Sequence, residues 1–310
     1  MISVIMSTYR EEEMILREAI ESIRLQTCRD WELVIIQDDP DNQVHKRILQ
    51  EYTEKDSRIR YFRNETNQGL ALSMNRAIRE AKGEYIARMD ADDIAYPRRL
   101  EKELQYLQDH HCDLIGGLLH VISADKKEVY AVGIVPEQNR TIRRCLRYGD
   151  CVAHPSWFAT KQFYEDMGGY RPIAACEDYD LLLRAALAGK CFGNLNEEVM
   201  HYRMSVKSVS RENLYRQYLT MRYLSKQYRK KKIPDLSAIE GYLKQNYEPK
   251  RAENYLQAES VFYQALNRLQ QKRFFSAVLT AAKIPFLSAA YTDKICRFLR
   301  LHLAAKGDKR

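Results

Sequence analysis

The sequence predicts an α/β protein, a mostly parallel sheet flanked by helices, followed by an α-helical C-terminal region. Three observations carry that expectation. Over roughly the first hundred residues, short apolar runs alternate with helical patterns of about ten to fifteen residues, which marks βαβ units. Runs such as SVIM and LVII are apolar without alternation, as strands covered on both faces must be. Beyond residue 210 no strand pattern is visible, and Pro234, Pro249 and Pro285 punctuate helical segments.

Residues 2–8 (ISVIMST) form the first expected strand. Residues 12–26 follow as a helix, with Met14, Ile15, Ala19, Ile20 and Ile23 at helical spacing. Residues 32–36 (ELVII) give a strand ending in Gln37-Asp38-Asp39-Pro40-Asp41-Asn42. Helical spacing over 43–54 leads to the short run Arg60-Tyr61-Phe62, and over 70–81 to the run 84–89. A helix near 97–109, strands near 113–122 and 128–134, and a helix near 137–147 come next. A turn-rich piece at 149–156 precedes Trp157-Phe158-Ala159, Gly168-Gly169-Tyr170 makes a loop, and 177–188 (EDYDLLLRAALA) reads as a helix. Further helices are expected near 211–231, 235–247, 251–270, 272–283 and 291–304.

A chain of 310 residues, 45% hydrophobic, suits one large domain or two smaller ones. Its seven cysteines are scattered, odd in number and lack a C-x-x-C pair. The expected home is a reducing cytoplasm, with neither a disulfide framework nor a thiolate zinc site. The start, MISVIMSTYREEE, lacks the basic region and long apolar stretch of a signal peptide. No segment approaches the roughly 18 apolar residues that would span a bilayer. The net charge of +8 is unevenly spread: residues 211–310 carry 21 Lys/Arg against 8 Asp/Glu, whereas 1–210 carry 29 against 34. Two parts with different partners are implied.

Three strand ends carry polar clusters: Ser7-Thr8-Tyr9, Asp38-Asp39 and Asp90-Ala91-Asp92-Asp93. In open α/β sheets, ligands sit beyond the carboxyl ends of the strands. Crowded carboxylates repel unless a cation neutralises them or one takes up a proton. Hard cations prefer oxygen donors, and Mg²⁺ typically uses one or two carboxylates plus substrate phosphates. The acidic cluster therefore predicts a metal–diphosphate site. A calcium EF-hand is dismissed because Ala95 stands where that loop needs glycine. Neither G-x-x-x-x-G-K-[ST] nor a G-x-G-x-x-G after the first strand is present, which argues against a P-loop NTPase and a dinucleotide dehydrogenase.

Taken in order, SVIMSTYRE, LVIIQDD, NETNQGLALSMNRAIREAKGEYIARMDADD and HPSWF…GGYRP…EDYDLLLRAA resemble the family 2 inverting glycosyltransferases of the GT-A fold. The resemblance covers roughly residues 1–210 and implies a Rossmann-like catalytic domain there, with 211–310 as a basic helical region. It implies that Ser7 and Tyr9 lie by a nucleotide base, with Tyr9 stacked on it, and that Asp39 accepts a hydrogen bond from a uracil-like ring. Asp90 would sit near the ribose or the metal, and Asp92 would ligate Mn²⁺ or Mg²⁺ directly. Asp178 of the Glu177-Asp178 pair would be the catalytic base, taking the acceptor hydroxyl's proton; Glu177 is a weaker candidate. Asp180, two residues along the helix, points about 200° away and should not share that role. His154 of the HPS element would line the acceptor side, with a packed turn histidine as an equal alternative.

The implied reaction moves one sugar from a nucleotide-diphosphate donor, UDP-linked, to a hydroxyl of a saccharide or lipid-linked acceptor in surface polysaccharide biosynthesis. This sequence departs from the family pattern at Arg10, where Asn is usual, and at Pro40, where Gly is usual. Ser205 of His201-Tyr202-Arg203-Met204-Ser205 takes the place of a histidine that can approach the metal, leaving Arg203 and Lys207 as candidate phosphate neighbours. Two alternatives stay open: a sugar-phosphate nucleotidyltransferase, and a non-catalytic nucleotide-sugar-binding scaffold.

Tyr228-Arg229-Lys230-Lys231-Lys232 reads as a solvated helix end. Ile295, Phe298, Leu299 and Leu303 share one helical face, with Lys294 and Arg297 on the other side. Such a basic amphipathic helix either lies on an anionic membrane or packs onto its neighbours. The membrane reading is preferred, giving a cytoplasmic protein peripheral on the inner membrane face. No zinc-finger, RNP-like or helix-turn-helix signature supports nucleic acid as a partner.

Overall fold

The computed structural model describes residues 1–123, 128–131, 135–204 and 213–306, with backbone alone for 128–131. Its first half follows the expected alternation: β1 (Ile2–Thr8), α1 (Glu13–Arg24), β2 (Trp31–Gln37), α2 (Gln43–Lys55), β3 (Ile59–Arg63), α3 (Leu70–Glu80) and β4 (Tyr85–Asp90). Strands β3, β2, β1 and β4 pair in parallel in that order. The helices form for local reasons. Leu16, Ala19, Ile20 and Ile23 recur at helical spacing and are buried under the sheet. Met14, expected on that face, is instead 70% exposed, and Leu16 takes the core position. The Asn42 side chain caps α2 by accepting from the His45 amide at 3.0 Å.

The second half of the sheet is mixed. It contains β5 (Ile94–Ala95), β6 (Leu114–Ile122), β7 (Glu128–Ala131), β8 (Phe158–Thr160) and β9 (Phe192–Arg203), with α4 (Arg99–Asp109), α5 (Asn139–Cys145), α6 (Lys161–Met167) and α7 (Glu177–Leu187). From β4 the order runs β8, β6, β9, β5, with β7 on the side of β6. Strand β8 is antiparallel to both β4 and β6, while β6 and β9 are parallel. The sequence reading omitted β5, α6 and β9. In β9 the polar stretch Asn196-Glu197-Glu198 interrupts any apolar run, and the register with β6 shifts between Gly117 and Leu119. Gly117 is required there, because an added Cβ would lie 2.6 Å from the Val199 side chain.

One apolar core covers each face of the sheet. Beyond β9 come α8 (Leu214–Arg229), α9 (Leu236–Asn246), α10 (Pro249–Gln270), α11 (Phe274–Ala281), α12 (Ile284–Leu287) and α13 (Ala289–Ala305). Pro249 opens α10 rather than breaking it, and Asp235 caps α9 through the Ala238 amide at 2.7 Å. Leu224 of α8 and Ile239 of α9 join one of the sheet's cores. Helices α8, α10, α12 and α13 build a further cluster around Tyr218, Tyr255, Ala258, Ile284 and Tyr291. Lys230, Lys231 and Lys232 end α8 in solvent, as expected.

Candidate active site

Register brings the polar strand ends together. Ser7 of β1 pairs with Ile36 of β2 on one side and with Asp90 of β4 on the other. Just past β4, one carboxylate oxygen from each of Asp90, Asp92 and Asp93 lies within 4.8 Å of the others. Asp90 is answered by Arg88, a wholly buried arginine whose Nη1 donates to Oδ2 at 2.7 Å while Nη2 donates to Oδ1. Asp93 is wholly buried; its Oδ1 accepts the Arg203 amide at 2.8 Å and its Oδ2 has no hydrogen-bond partner among the described residues. Burial, then the charges of Asp90 and Glu11, push the half-buried Asp92 up to about 7. Burial and the charges of Asp90 and Asp92 drive Asp93 well above the ordinary carboxylate range. The donor set is oxygen only, holds an unsatisfied buried carboxylate oxygen, and carries more negative charge than Arg88 offsets. These residues fit a hard divalent cation.

Arg203, expected as a phosphate neighbour, is committed elsewhere. Its Nε donates to the Asp92 carbonyl at 2.9 Å and its Nη2 to Glu18 Oε2 at 2.9 Å, so it fastens the acidic turn to α1. Ser205 and Lys207 lie outside the described residues.

On the nucleotide side, Asp38 and Asp39 have different tasks. Asp38 is buried and accepts from Asn64 Nδ2 at 2.6 Å and from the Gln68 and Gly69 amides at 2.8 Å each. Gly69, at φ +79°, turns the chain into α3. The NETNQG stretch is thus wrapped around one carboxylate. Asp39 is half-buried, with Oδ2 3.5 Å from Arg10 Nε. That arginine lies 4.7 Å from the centre of the Tyr9 ring. Tyr9, Arg10 and Asp39 therefore stand in a row beside half-buried Ser7.

The other wall is the start of α7. Asp178 is half-buried, and its Oδ1 accepts the Tyr179 amide at 2.6 Å. Burial raises its pKa, and the charge of Asp90 adds to the rise, so the two acidic groups lie within electrostatic reach. Glu177 is pushed up to about 7 by burial and by Asp178. Asp180 is consumed by Arg171 and Arg184, whose Nε atoms both donate to its Oδ2 at 2.9 Å. His154 is buried with Nε2 2.9 Å from the Tyr170 hydroxyl and its ring edge-on to Trp157 at 4.6 Å. Burial, aided by Arg88, holds it well below the usual histidine range. It has the environment of a packed, neutral turn histidine.

Two residues of this site are not among those the sequence analysis singles out. Asp150, half-buried beside Val152 whose amide it accepts at 2.9 Å, is raised to about 8 by burial and then by Asp178. It sits in a turn without periodicity. Arg88 was readable in principle, because an arginine inside a doubly covered strand demands a buried anion.

A mixed sheet that gathers carboxylates at the carboxyl ends of its parallel strands, facing an acidic helix start, defines an α/β transferase of the GT-A type. The chain belongs to glycosyl transferase family 2, whose sequence pattern matches residues 3–166. It is 31% identical over 224 residues to a glycosyltransferase of Methanocaldococcus jannaschii, covering 70% of this chain and 77% of that one. It is 33% identical over 218 residues to the O-antigen biosynthesis glycosyltransferase WbnJ of Escherichia coli, covering 69% and 84%. Among solved structures, residues 1–349 of S. aureus TarS in complex with UDP share the fold with a TM-score of 0.60 at 16% identity, covering 99% of this chain and 91% of that one. The TarS complex with UDP-GlcNAc gives 0.59 at 16% identity, covering 99% and 92%. The protein is a glycosyltransferase.

Proposed function

We propose that the enzyme moves one sugar from a UDP-linked donor to a hydroxyl of a saccharide or lipid-linked acceptor, with inversion, on the cytoplasmic side of surface polysaccharide biosynthesis. The observation that carries this reading is the cluster of Asp90, Asp92 and Asp93 at the tip of β4, with Asp178 at the start of α7 within reach of the Asp90 charge. The UDP and UDP-GlcNAc bound to the TarS neighbours support the donor, and the O-antigen role in the name of the Escherichia coli relative supports the pathway class. We assign catalysis to residues 1–210 and the basic helical region to 211–310.

Tyr9 offers an aromatic face to the base, Asp39 an acceptor for its ring N–H, and Ser7 a hydroxyl beside them. Asp92, with Asp90 beside it, would hold Mn²⁺ or Mg²⁺, which supplies positive charge against the departing diphosphate. Asp178 takes the proton of the acceptor hydroxyl as that oxygen bonds to the anomeric carbon and the carbon–oxygen bond to the diphosphate breaks. Burial raises the basicity of Asp178 towards that task.

Replacing Asp178 by Asn should lower kcat by about 10²–10⁴ while UDP binding, measured by calorimetry, stays close to wild type. Asp92→Ala should abolish Mn²⁺-dependent UDP binding. Wild-type turnover in Asp178→Asn removes the base assignment, and equal UDP binding in excess EDTA removes the metal. Release of pyrophosphate in place of UDP would mean nucleotidyl transfer.

A further inference from the structure

The C-terminal helices carry a surface that the transfer chemistry does not use. Among the described residues every exposed phenylalanine lies here: Phe274, Phe275, Phe286 and Phe298. On α11, Phe274, Phe275, Val278 and Leu279 occupy one face, opposite the buried Ala277 and Thr280. Phe275 is 79% exposed, and Phe286 on α12 reaches 92%. Ordinary surfaces scatter single apolar residues, whereas a contiguous apolar face marks a binding surface.

Charge says what kind of partner fits. Between residues 271 and 306 the sequence has 7 Lys/Arg and a single acid, Asp293. That acid is already bonded to the Tyr218 hydroxyl at 2.9 Å. Lys272 and Arg273 precede α11 and Lys283 precedes α12, all exposed, so cations stand at both ends of the α11 face. Phenylalanines flanked by cations suit an interface of anionic headgroups over hydrocarbon. The shape agrees with lying in that interface. Residues Phe274–Leu287 and Ala289–Ala305 are long and apolar enough for a span only when taken together, and they bend by 120° where they join; no single described helix is long and apolar enough to cross a bilayer.

We propose that α11 and α12 form a wedge that inserts the Phe275 and Phe286 side chains into the headgroup region of an anionic lipid bilayer, with Lys272, Arg273 and Lys283 on the lipid phosphates. The sequence pattern had pointed to α13 alone; there Ile295 packs inward and Lys294 lies 3.6 Å from Glu259, so α13 serves more as the brace behind the wedge. The brace also reaches the catalytic half. Arg144 of α5 donates to the Ala304 carbonyl at 2.5 Å, and the turn after α5 carries Asp150. The proposal rests on this surface and stands independently of the transfer reaction.

Flotation of the full chain with phosphatidylcholine vesicles, with and without phosphatidylglycerol, tests it. Binding should require phosphatidylglycerol and weaken in high salt. The double variant Phe275→Ser/Phe286→Ser should lose about tenfold or more in vesicle affinity, and Lys272→Glu/Lys283→Glu a comparable factor. Because these side chains are exposed, the melting temperature should hold, which separates lost binding from lost folding. A Phe286→Trp variant adds a depth probe, since Trp31 and Trp157 are buried. The emission of the introduced indole should shift to the blue on anionic vesicles and be quenched by brominated lipid. Absence of vesicle binding by the wild type, binding unchanged in the double serine variant, or an unshifted emission from the Phe286→Trp variant would each overturn the proposal. Self-association of the wild type without vesicle binding, abolished by the serine pair, would overturn it in favour of a second copy of the chain.

Discussion

In the sheet half, charged side chains are drawn inward: Arg88, Asp93, Arg99 and Glu103 are almost wholly buried. In the helices beyond residue 249 the arrangement is reversed, with Phe274, Phe275, Phe286 and Phe298 outside and Tyr255 and Tyr291 in the core. Burying a charge is costly unless it is paired, and breaking such a pair leaves the cost unanswered. An exposed phenylalanine makes few contacts within the fold, so removing it should cost the fold little. The contrast suggests that the sheet half gives up stability to hold a charged site, while the helical half keeps an apolar surface for something outside the fold.

The comparison breaks first, and most visibly, at Arg88. Its two bonds to Asp90 are the charge pairing that β4 carries into the site. Arg88→Met leaves Asp90 facing Asp92 and Asp93 without that counter-charge, and should cost about 3–5 kcal/mol, read by chemical denaturation. A loss below about 1 kcal/mol would mean that the pair does not organise the site.

The next effect is a pH dependence confined to the sheet half. Burial holds Asp92 near 7, Glu177 near 7 and Asp150 near 8, above the unfolded carboxylate range of about 4. The folded chain therefore binds more protons than the unfolded one across that window. These groups contribute stability that is full below about pH 4 and is lost as pH rises through 7 to 8. At low pH the trend should reverse, since carboxylates such as Glu51, held near 2 by Arg17 and Lys55, then lose their advantage. Metal-free protein should melt higher at pH 5.5 than at pH 8.5. Added Mn²⁺ should flatten the profile by favouring ionised Asp92. An identical profile in Asp92→Asn/Asp150→Asn would assign the dependence to other groups.

Much of this architecture was legible because its cause is local. Alternating apolar runs and helical spacing gave β1 to β4 and their helices, and the acidic tip was visible as a run of residues. Less legible was what depends on contacts distant in sequence. Strand β9 gains its place by pairing with β6 through a register shift, and its own polar centre hides it. Asp38 and Asp39 look alike in sequence, yet only the fold shows that Asp38 is consumed by Asn64, Gln68 and Gly69. The commitment of Arg203 to Glu18, 185 residues away, is of the same kind.

Arg10 offers a smaller test within the sheet half. It reaches Asp39 at 3.5 Å and lies over Tyr9, on the wall assigned to the base. At 71% side-chain exposure its pairing is screened, so Arg10→Ala should change the donor KM by only about two- to fivefold, with kcat little altered. A large fall in kcat with unchanged KM would move Arg10 from the donor wall to the reacting centre.

The smallest expected effect lies in the helical half, and its smallness is the point. Phe298, 59% exposed on α13, has no partner in the core around Tyr255 and contacts the His302 ring one turn on. Phe298→Ser should change stability by no more than about 0.5 kcal/mol, as exposed substitutions do. Tyr255→Ala, which empties the centre of the same helical cluster, should cost about 3–5 kcal/mol. Denaturant titrations of the two variants side by side read the difference. If Phe298→Ser also costs more than about 2 kcal/mol, that part of the face is covered by the protein itself in solution, and the outward-facing half of the comparison fails there while the inward-facing half is untouched.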